Sequence, residues 1–307
     1  MFHVIINPET ASGRGKLKWR RIRPLFEKYG MEYKLHISEK PGDIGRICNA
    51  LTTLNALGSC VDIIIIGGDG SMNEAVNAID DFKSVRLGFI PAGSGNDLAK
   101  AILDYKNDEE IVARIARGET VRSIDIGLME SKEGRRLFNI SSGIGFDAEI
   151  CKEANRIGFK GVLNKLGLGK LIYIFVAIKL ILINKKFFCQ IRFDGEVKKT
   201  YRNCLFAVGM NTAYEGGGFM FCPDASDTDG TLDFCIPDGI DSPHFFMLFP
   251  KAYRGGHVGH PGINIERAKK VRMRTKTPVW MHTDGEVAFK TDDVTLSIYP
   301  EKLNLLM

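Results

Sequence analysis

The chain has 307 residues, of which 44% are hydrophobic and 26% charged, and this composition excludes a disordered or low-complexity protein. Its net charge of +5 is too small to argue for nucleic-acid binding, so no nucleic-acid partner is expected. Seven scattered cysteines form no CxxC pair and no disulfide spacing, and the first residues lack the pattern of a signal peptide. These features predict a reduced, cytoplasmic protein of one large or two medium domains.

The first third of the sequence alternates strand and helix patterns. Strands are predicted at 2–6, 33–37, 63–66 and 87–90, with amphipathic helical patterns between them. The run from Ile63 to Ile66 is uninterrupted and β-branched, which is typical of a strand buried on both faces. This order predicts a parallel sheet covered by helices, with the loops after the strands meeting at its carboxyl edge.

Glycine-rich turns follow three of these strands. They read NPETASG at 7–13, GGDGSMNE at 67–74 and GSGND at 93–97. One such turn is as well explained by an ordinary strand-to-helix connection, but three at one sheet edge predict a nucleotide phosphate site. The first turn is neither a P-loop nor a dinucleotide fingerprint. Asp69 would repel phosphate, so it is expected to act through a Mg²⁺ ion, a water or a hydroxyl proton.

From about residue 123 onwards, strand patterns dominate, separated by Gly, Pro, Asp and Asn turns. The predicted fold is therefore an α/β nucleotide-binding domain over 1–123, with a parallel sheet and completed by the tail 290–307, followed by an all-β sandwich over 124–289. An exposed edge of this sandwich could pair in a homodimer.

The basic residues concentrate in 152–186, where eight Lys or Arg accompany a single acid, Glu153. They flank an apolar run at 171–183 that is too short to span a bilayer. The segment is either a core helix with lysines reaching solvent or a helix that lies on an anionic membrane surface.

Two acidic turns in the second half carry further candidate residues. PDASDTDGT at 223–231 offers oxygen ligands of the kind a hard cation prefers, and HTDGE at 282–286 offers carboxylates that can take a hydroxyl proton. Each is also typical of an ordinary β-turn or hairpin. His257 and His260 have the spacing of a helical metal pair, but the surrounding glycines favour a loop without metal.

Taken in order along nearly the whole chain, these turns together with SIDIG and FNISSGIGFDAE resemble the diacylglycerol kinase catalytic domain family, which includes bacterial lipid kinases, ceramide kinases and sphingosine kinases. The resemblance implies an α/β domain and a β-sandwich with ATP bound between them. It also implies a Mg²⁺-dependent lipid kinase at the membrane surface that phosphorylates a lipid hydroxyl, most simply diacylglycerol to give phosphatidic acid.

The resemblance also implies roles for individual residues. The nucleotide contacts would be Asn7, Pro8, Ser12, Gly13, Ser38, Gly67, Gly68, Asp69, Gly70, Ser71, Asn73, Glu74, Gly93, Ser94, Gly95, Asn96 and Asp97. A Mg²⁺ site would use the side chain of Asp229 and the backbone carbonyls of Ser226 and Thr231. The catalytic acids would be Glu286, Asp284 and Asp69, and the choice of general base between Asp69 and the Asp284–Glu286 pair stays open. Asp97 and Asp125 match acids that organise Mg²⁺ and water.

Two alternatives accompany this interpretation. NAD kinases also carry a GGDG turn, but here Asn73 and Glu74 follow within four positions of Gly70, and GSGND has no counterpart there. A non-catalytic nucleotide or lipid sensor of the same fold is disfavoured by the acids present at 69, 97, 125, 229, 284 and 286.

Overall fold

The computed structural model describes residues 1–54, 60–104, 107–118, 121–156 and 186–307. The chain divides into two compact units, one comprising Met1–Asp125 with Pro300–Met307 and the other Ile126–Tyr299. The returning tail is therefore shorter than the predicted 290–307, because residues 290–298 belong to a strand of the second unit. Most of the basic segment and the whole apolar run at 171–183 lie outside the described residues.

The first unit is a six-stranded sheet with helices on both faces. Its strands are β1 (Phe2–Ile6), β2 (Tyr33–Ile37), β3 (Val61–Gly67), β4 (Val85–Pro91), β5 (Val121–Ile124) and the final strand β16 (Leu303–Leu306), in the order β2-β1-β3-β4-β16-β5. Its helices are α1 (Arg14–Lys28), α2 (Asp43–Leu54), α3 (Asp69–Val76), α4 (Asp97–Ile102) and α5 (Asp108–Arg117). The predicted α/β class with a parallel sheet is confirmed.

The centre of this sheet is the β-branched run predicted from the sequence. Ile63 to Ile66 are all 0% exposed, because β3 lies between β1 and β4 and helices cover both of its faces. Burying each such side chain contributes roughly 1.5–3 kcal/mol. The parallel strands all end at one edge, where the three glycine turns begin.

β16 closes the first unit from the far end of the chain. It pairs parallel to β4 and antiparallel to β5, and Leu303, Leu305 and Leu306 are buried. Beside it, Lys302 Nζ lies 2.8 Å from Asp125 Oδ1. Asp125 is 1% exposed, so this carboxylate, predicted to organise Mg²⁺ and water, is held in an ion pair within the unit.

The second unit is an antiparallel sheet in which the path β13-β12-β11-β8-β14-β15-β6-β7 is extended by β9 and β10. The strands are β6 (Gly127–Ser131), β7 (Gly134–Phe138), β8 (Ser141–Gly145), β9 (Phe187–Phe193), β10 (Val197–Cys204), β11 (Phe206–Met210), β12 (Leu232–Pro237), β13 (Ile263–Ala268), β14 (Lys270–Thr283) and β15 (Glu286–Ile298). β14 pairs with β9 near its start and with β8 near its end, so the sheet folds over on itself. The two parts share one core, in which Phe193 of β9 packs edge-on against Phe234 of β12.

Two helices interrupt the strands of this unit. α6 (Phe146–Arg156) begins earlier than the predicted helical segment near residue 154. α7 (Ser242–Ala252) was not predicted, because its aromatic-rich sequence lay among strand patterns. Its start nevertheless carries a helix signal: the carboxylate of Asp241 accepts the N–H of His244, and Pro243 occupies the first turn. Within the described residues, none of the helices is both long and apolar enough to cross a membrane.

Candidate active site

The three glycine turns of the first unit contact one another at the carboxyl edge of the sheet. A Cβ atom added to Gly93 would lie 2.8 Å from Cα of Gly68, and one added to Gly68 would lie 3.8 Å from Cγ2 of Thr10. The second and third turns therefore touch backbone to backbone, and only glycine permits this approach. The predicted nucleotide contacts follow β1, β2, β3 and β4 at this shared edge.

The turn after β1 has an unusual backbone. Ala11, Ser12 and Gly13 all have positive φ angles, of 48°, 62° and 96°. Positive φ is costly for residues other than glycine and is concentrated at functional sites. This turn leads into α1, and the turn after β3 leads into α3. The N-cap residues of the two helices are Gly13 and Gly68, which have no side chain to cap them. The start of α1, which has no acidic residue in its first turn, is therefore suited to binding an anion, whereas the start of α3 carries Asp69.

Asp69 joins the second turn to the third. Its carboxylate oxygens accept the backbone N–H groups of Asp97 at 3.1 Å and Leu98 at 3.2 Å, at the start of α4. Asp97 in turn lies 2.6 Å from Lys100 Nζ. Asp69 therefore fixes the position of the GSGND turn, a role that the sequence analysis did not predict.

Several other predicted nucleotide contacts are tied into the protein itself. Glu74 accepts the N–H of Gly45 at 3.1 Å and so links α3 to α2. Asn73 is fully buried and accepts from the side chain of Asn77. Ser38 is buried at the end of β2. Asn96 donates to the carbonyl of Gly93, while its own Oδ1 is buried without a hydrogen-bond partner among the described residues.

In the second unit, the HTDGE segment is a hairpin turn between β14 and β15. Asp284 and Gly285 occupy it with φ angles of 50° and 79°. The Asp284 carboxylate accepts the backbone N–H groups of Asn139 at 2.9 Å, Ile140 at 2.8 Å and Ser141 at 3.1 Å. Asp284 thus anchors the FNISS segment before β8, and its oxygens are already engaged within the unit.

The same four residues, DGEV, occur a second time at 194–197, and the Asp-Gly pair has similar φ angles in both places. Asp194 and Gly195 have φ angles of 47° and 83°, and the Asp194 carboxylate accepts two backbone N–H groups, from Lys269 and Lys270. The aspartate–glycine pair is therefore a structural turn in both places. Glu286 is exposed, and its side chain makes no hydrogen bond or ion pair in the described part of the chain. Unlike the carboxylates of Asp194 and Asp284, its carboxylate is therefore not used to hold the local backbone.

A buried histidine lies directly beneath this turn. His282 is fully buried, and its Nε2 lies 3.0 Å from Asp147 of α6 and 3.5 Å from Glu215. Its Nδ1 accepts the N–H of Gly285 at 3.2 Å. Burial by itself would lower the pKa of His282, but the charges of Asp147, Glu215 and Asp284 outweigh burial and raise this pKa to about 9. His282 was missed from the sequence, since Asp147 and Glu215, the two acids nearest its Nε2, are far from it in the chain.

The raised pKa of His282 makes the stability of the second unit depend on pH. A raised folded pKa contributes stability that is complete below the unfolded pKa of about 6.5 and is lost as pH rises through about 9. We expect the unfolding free energy of the wild type, relative to H282Q, to fall by at most about 3 kcal/mol between these pH values. Urea unfolding followed by Trp280 fluorescence in a Trp19→Phe background measures this unit alone.

The matched control is H244Q, which removes a histidine of the same unit whose ion pair with Asp241 is solvent-exposed and therefore weak, so it is expected to change the pH dependence far less than H282Q does. Protonation of Nδ1 would break the hydrogen bond that this atom accepts from Gly285 N–H. The loss of that bond favours the neutral histidine, whereas the carboxylates favour the protonated one. A wild-type stability that rises relative to H282Q over this pH range would mean that this hydrogen bond prevails and the histidine is neutral.

The polar atoms around Asp284 include three that no described residue satisfies. Asn139 Oδ1, Ser141 Oγ and Thr283 Oγ1 are buried and have no hydrogen-bond partner among the described residues. Buried polar atoms are rarely left without partners outside functional sites. A polar ligand group could bind to them.

The predicted metal turn at 223–231 is organised around Asp229. Its Oδ1 accepts the N–H and the hydroxyl of Thr231, and its Oδ2 lies 3.9 Å from the Arg267 guanidinium. The hydroxyl of Ser226 lies 3.2 Å from that of Thr228. Among the described residues, no three acidic, histidine or cysteine side chains form a metal cluster, so a cation here would depend on backbone carbonyls as well.

Comparisons with known proteins identify the class. Residues 1–129 match the model of the diacylglycerol kinase catalytic domain, and residues 140–307 match that of the YegS C-terminal NAD kinase beta sandwich-like domain. The second model covers more than half of the chain, so the chain belongs to the family with the YegS C-terminal NAD kinase beta sandwich-like domain. With a diacylglycerol kinase catalytic domain in its first 129 residues and lipid kinases among its relatives, it is a lipid kinase, which is a transferase.

Individual relatives agree with this class. The chain is 27% identical to "Putative lipid kinase YtlR" of Bacillus subtilis over 92% of each chain. It is also 27% identical to a diacylglycerol kinase of Staphylococcus carnosus, over 92% of this chain and 87% of that one. A crystal structure of a diacylglycerol kinase from Bacillus anthracis superposes with a TM-score of 0.71 at 19% identity, covering 99% of this chain and 96% of the other.

The fold also resembles that of an NAD kinase. The crystal structure of the Archaeoglobus fulgidus enzyme in complex with ATP superposes with a TM-score of 0.52 at 11% identity, covering 100% of this chain and 94% of the other. At this identity the likeness concerns the fold alone.

Proposed function

We propose that this lipid kinase transfers the γ-phosphate of ATP to a hydroxyl of diacylglycerol and so produces phosphatidic acid. The observation that carries the proposal is the meeting of three glycine turns at one sheet edge, two of them in backbone contact, beside two helix starts whose N-cap residues are glycines. Phosphoryl transfer depends mainly on positioning and charge neutralisation, which such an edge supports. The choice of diacylglycerol rests on the names of relatives such as the Staphylococcus carnosus enzyme.

In this proposal the phosphates bind at the sheet edge formed by the turns after β1, β3 and β4. Gly68 and Gly93 let the second and third turns lie against each other. The N–H groups of Ser12 and Gly13 donate to the Glu9 carbonyl and so hold the first turn in its positive-φ conformation. Asp69 contributes by holding the second and third turns together through the amides of α4.

We assign the general base to Glu286. Asp69 and Asp284 both use their carboxylates to bind backbone N–H groups, so neither is available without loss of local structure. Glu286 is exposed and lies next to a turn whose neighbourhood contains buried polar atoms without partners among the described residues. A carboxylate within hydrogen-bond reach of the acceptor hydroxyl can take its proton.

The turn at 223–231 suits a Mg²⁺ ion by its donor chemistry. The Asp229 oxygen not bound by Thr231, with carbonyls such as those of Ser226 and Thr231, would supply hard oxygen ligands. When bound, Mg²⁺ supplies positive charge that stabilises the phosphates and the local loop. Arg267 offsets part of the Asp229 charge from 3.9 Å, so we expect weak binding at this site.

The test is transfer of labelled phosphate from ATP, with Mg²⁺, to a panel of diacylglycerol, ceramide, sphingosine, phosphatidylglycerol and NAD. We expect labelled phosphatidic acid, and D229N is expected to raise the Mg²⁺ concentration needed for half-maximal activity by about tenfold, since it removes the charged ligand of the proposed site. The control is D224N, which changes an exposed acid in the same turn.

The other outcomes of this assay distinguish the two alternative functions. Phosphorylation of NAD would identify an NAD kinase, and ATP binding without turnover on any acceptor would favour a sensor of the same fold. The homodimer and the membrane role of the basic segment 152–186 remain predictions. Sedimentation and salt-dependent liposome binding, respectively, would test them.

A further inference from the structure

Helix α7 is apolar on two opposite faces. Its inner face buries Phe245 and Leu248, which are 6% and 5% exposed, against the core of the second unit. Its outer face presents Phe246 and Met247, which are 38% and 47% exposed. A helix on the surface of a globular unit normally buries one apolar stripe and shows polar residues on the other side. The outer stripe of α7 therefore requires its own explanation.

The outer residues form one continuous patch. Pro243, Phe246, Met247 and Pro250 are all exposed and follow the i, i+3, i+4, i+7 spacing of a single helix face. The segment after the helix adds Tyr253 and Val258, which are 49% and 42% exposed. Four of the ten exposed large apolar side chains in the described part of the chain lie between residues 246 and 258. Such clustering marks a binding surface, whereas single exposed apolar residues need no explanation.

The charges beside this patch are mostly basic. Lys251 and Arg254 are exposed at the end of the helix, and His260 lies 3.3 Å from Lys251 Nζ. The acid at the other end, Asp241, is already engaged as the helix cap and with the ring of His244 at 2.7 Å. Apolar and aromatic side chains flanked by Lys and Arg are typical of elements that lie in the interface of an anionic bilayer.

We infer that this patch, the α7 surface formed by Pro243, Phe246, Met247, Pro250, Tyr253, Arg254 and Val258, docks on a lipid bilayer that contains anionic headgroups. The inference rests on the lipid kinase activity, because an enzyme whose acceptor is a membrane lipid must reach it at the bilayer. Phe246 and Met247 insert below the headgroups, while Lys251 and Arg254 contact their phosphates. In the sequence, this surface lies outside the basic segment 152–186.

The experiment compares vesicle binding of the full chain and its variants. Sedimentation is measured with vesicles of phosphatidylcholine alone and of phosphatidylcholine with phosphatidylglycerol. The wild type is expected to prefer the anionic vesicles and to lose affinity with salt. F246E/M247E is expected to reduce binding at least tenfold. R254Q is expected to reduce binding about fivefold, which is the usual contribution of one basic residue near an anionic membrane surface.

The matched control is V121E/V197E, which adds the same two charges at exposed valines elsewhere on the chain and is expected to bind as the wild type does. F246A/M247A repeats the test without new charges if the glutamate variant unfolds. Wild-type binding by the α7 variants, or no binding by the wild type itself, would overturn the inference. So would a dimer in solution that these variants dissociate, because the patch would then serve a second copy of the chain.

Activity separates this inference from the proposed reaction. With a water-soluble short-chain diacylglycerol, F246E/M247E is expected to retain wild-type kcat, and with long-chain diacylglycerol in anionic vesicles it is expected to lose most of its activity. Vesicle binding through α7 by a protein that phosphorylates no diacylglycerol would support the docking surface while disproving the proposed acceptor. Equal loss on both substrates would show a general structural defect and overturn the docking role.

Discussion

Replacing Glu286 with glutamine is expected to lower kcat by about 10²–10⁴-fold, the usual contribution of a general base. The substitution keeps the size of the side chain and removes only its ability to take a proton. Glu286 is exposed and its side chain has no hydrogen bond in the described part of the chain, so the melting temperature and the KM for ATP are expected to stay unchanged. Initial rates at varied ATP and diacylglycerol, with a thermal melt of each protein, measure all of these quantities.

The chain contains its own control for this experiment. Glu196 follows the other Asp-Gly turn, in the same DGEV sequence and after an Asp-Gly pair with the same positive φ angles, and is also exposed. E196Q therefore reproduces the chemical change in a second copy of the turn and is expected to leave kcat intact. If E286Q retained more than about a tenth of the wild-type kcat, Glu286 would not be the base, and the assignment would return to Asp69 or Asp284.

Replacing Asp69 with asparagine is expected to raise the KM for ATP by tenfold or more and to destabilise the first unit by about 1–3 kcal/mol, the cost of losing a charged acceptor for buried amides. The asparagine side chain would keep one oxygen for the α4 amides and present an NH₂ group to the other amide. The GSGND turn would then lose its fixed position relative to Gly68. Unfolding followed by Trp19 in a Trp280→Phe background reports on the first unit, and steady-state kinetics give KM and kcat.

The two roles considered for Asp69 differ in the parameters they affect. An anchor of the nucleotide turns affects stability and ATP binding together, whereas a general base affects kcat alone. D81N is the control, because Asp81 also accepts a backbone N–H in the first unit, that of Lys83, but lies away from the turns. A large loss of kcat in D69N, with unchanged KM for ATP and unchanged stability, would contradict the anchoring role and favour Asp69 as the base.

The features predictable from the sequence were those encoded locally. The β-branched run at 63–66 indicated a strand buried on both faces. The glycines of the turns marked the points where one turn approaches the backbone of another, as Gly68 and Gly93 do. Because parallel strands end at a common edge, the topology itself brought these turns together. The all-β character of the second unit likewise followed from short alternating strands with turn residues between them.

The parts that could not be predicted depend on contacts between distant residues. The amides bound by Asp284 lie 143 to 145 positions away in the chain, and the histidine partner of Asp147 lies 135 positions away. Nothing local in HTDGE distinguishes a carboxylate that anchors a neighbouring segment from one that takes a proton. The repeat at 194–197 makes the point directly, since the same four letters there form a turn that received no catalytic prediction.

The position of β16 has a consequence for the order in which the protein can fold during synthesis. The strand lies inside the first sheet, between β4 and β5, yet it is synthesised only after the whole second unit. Until then β4 and β5 each present an unpaired edge, while the entire second unit is already translated. The first sheet is therefore completed only after the second unit has been synthesised, and a chain truncated before Leu303 is expected to carry an unfinished sheet prone to pairing with other chains.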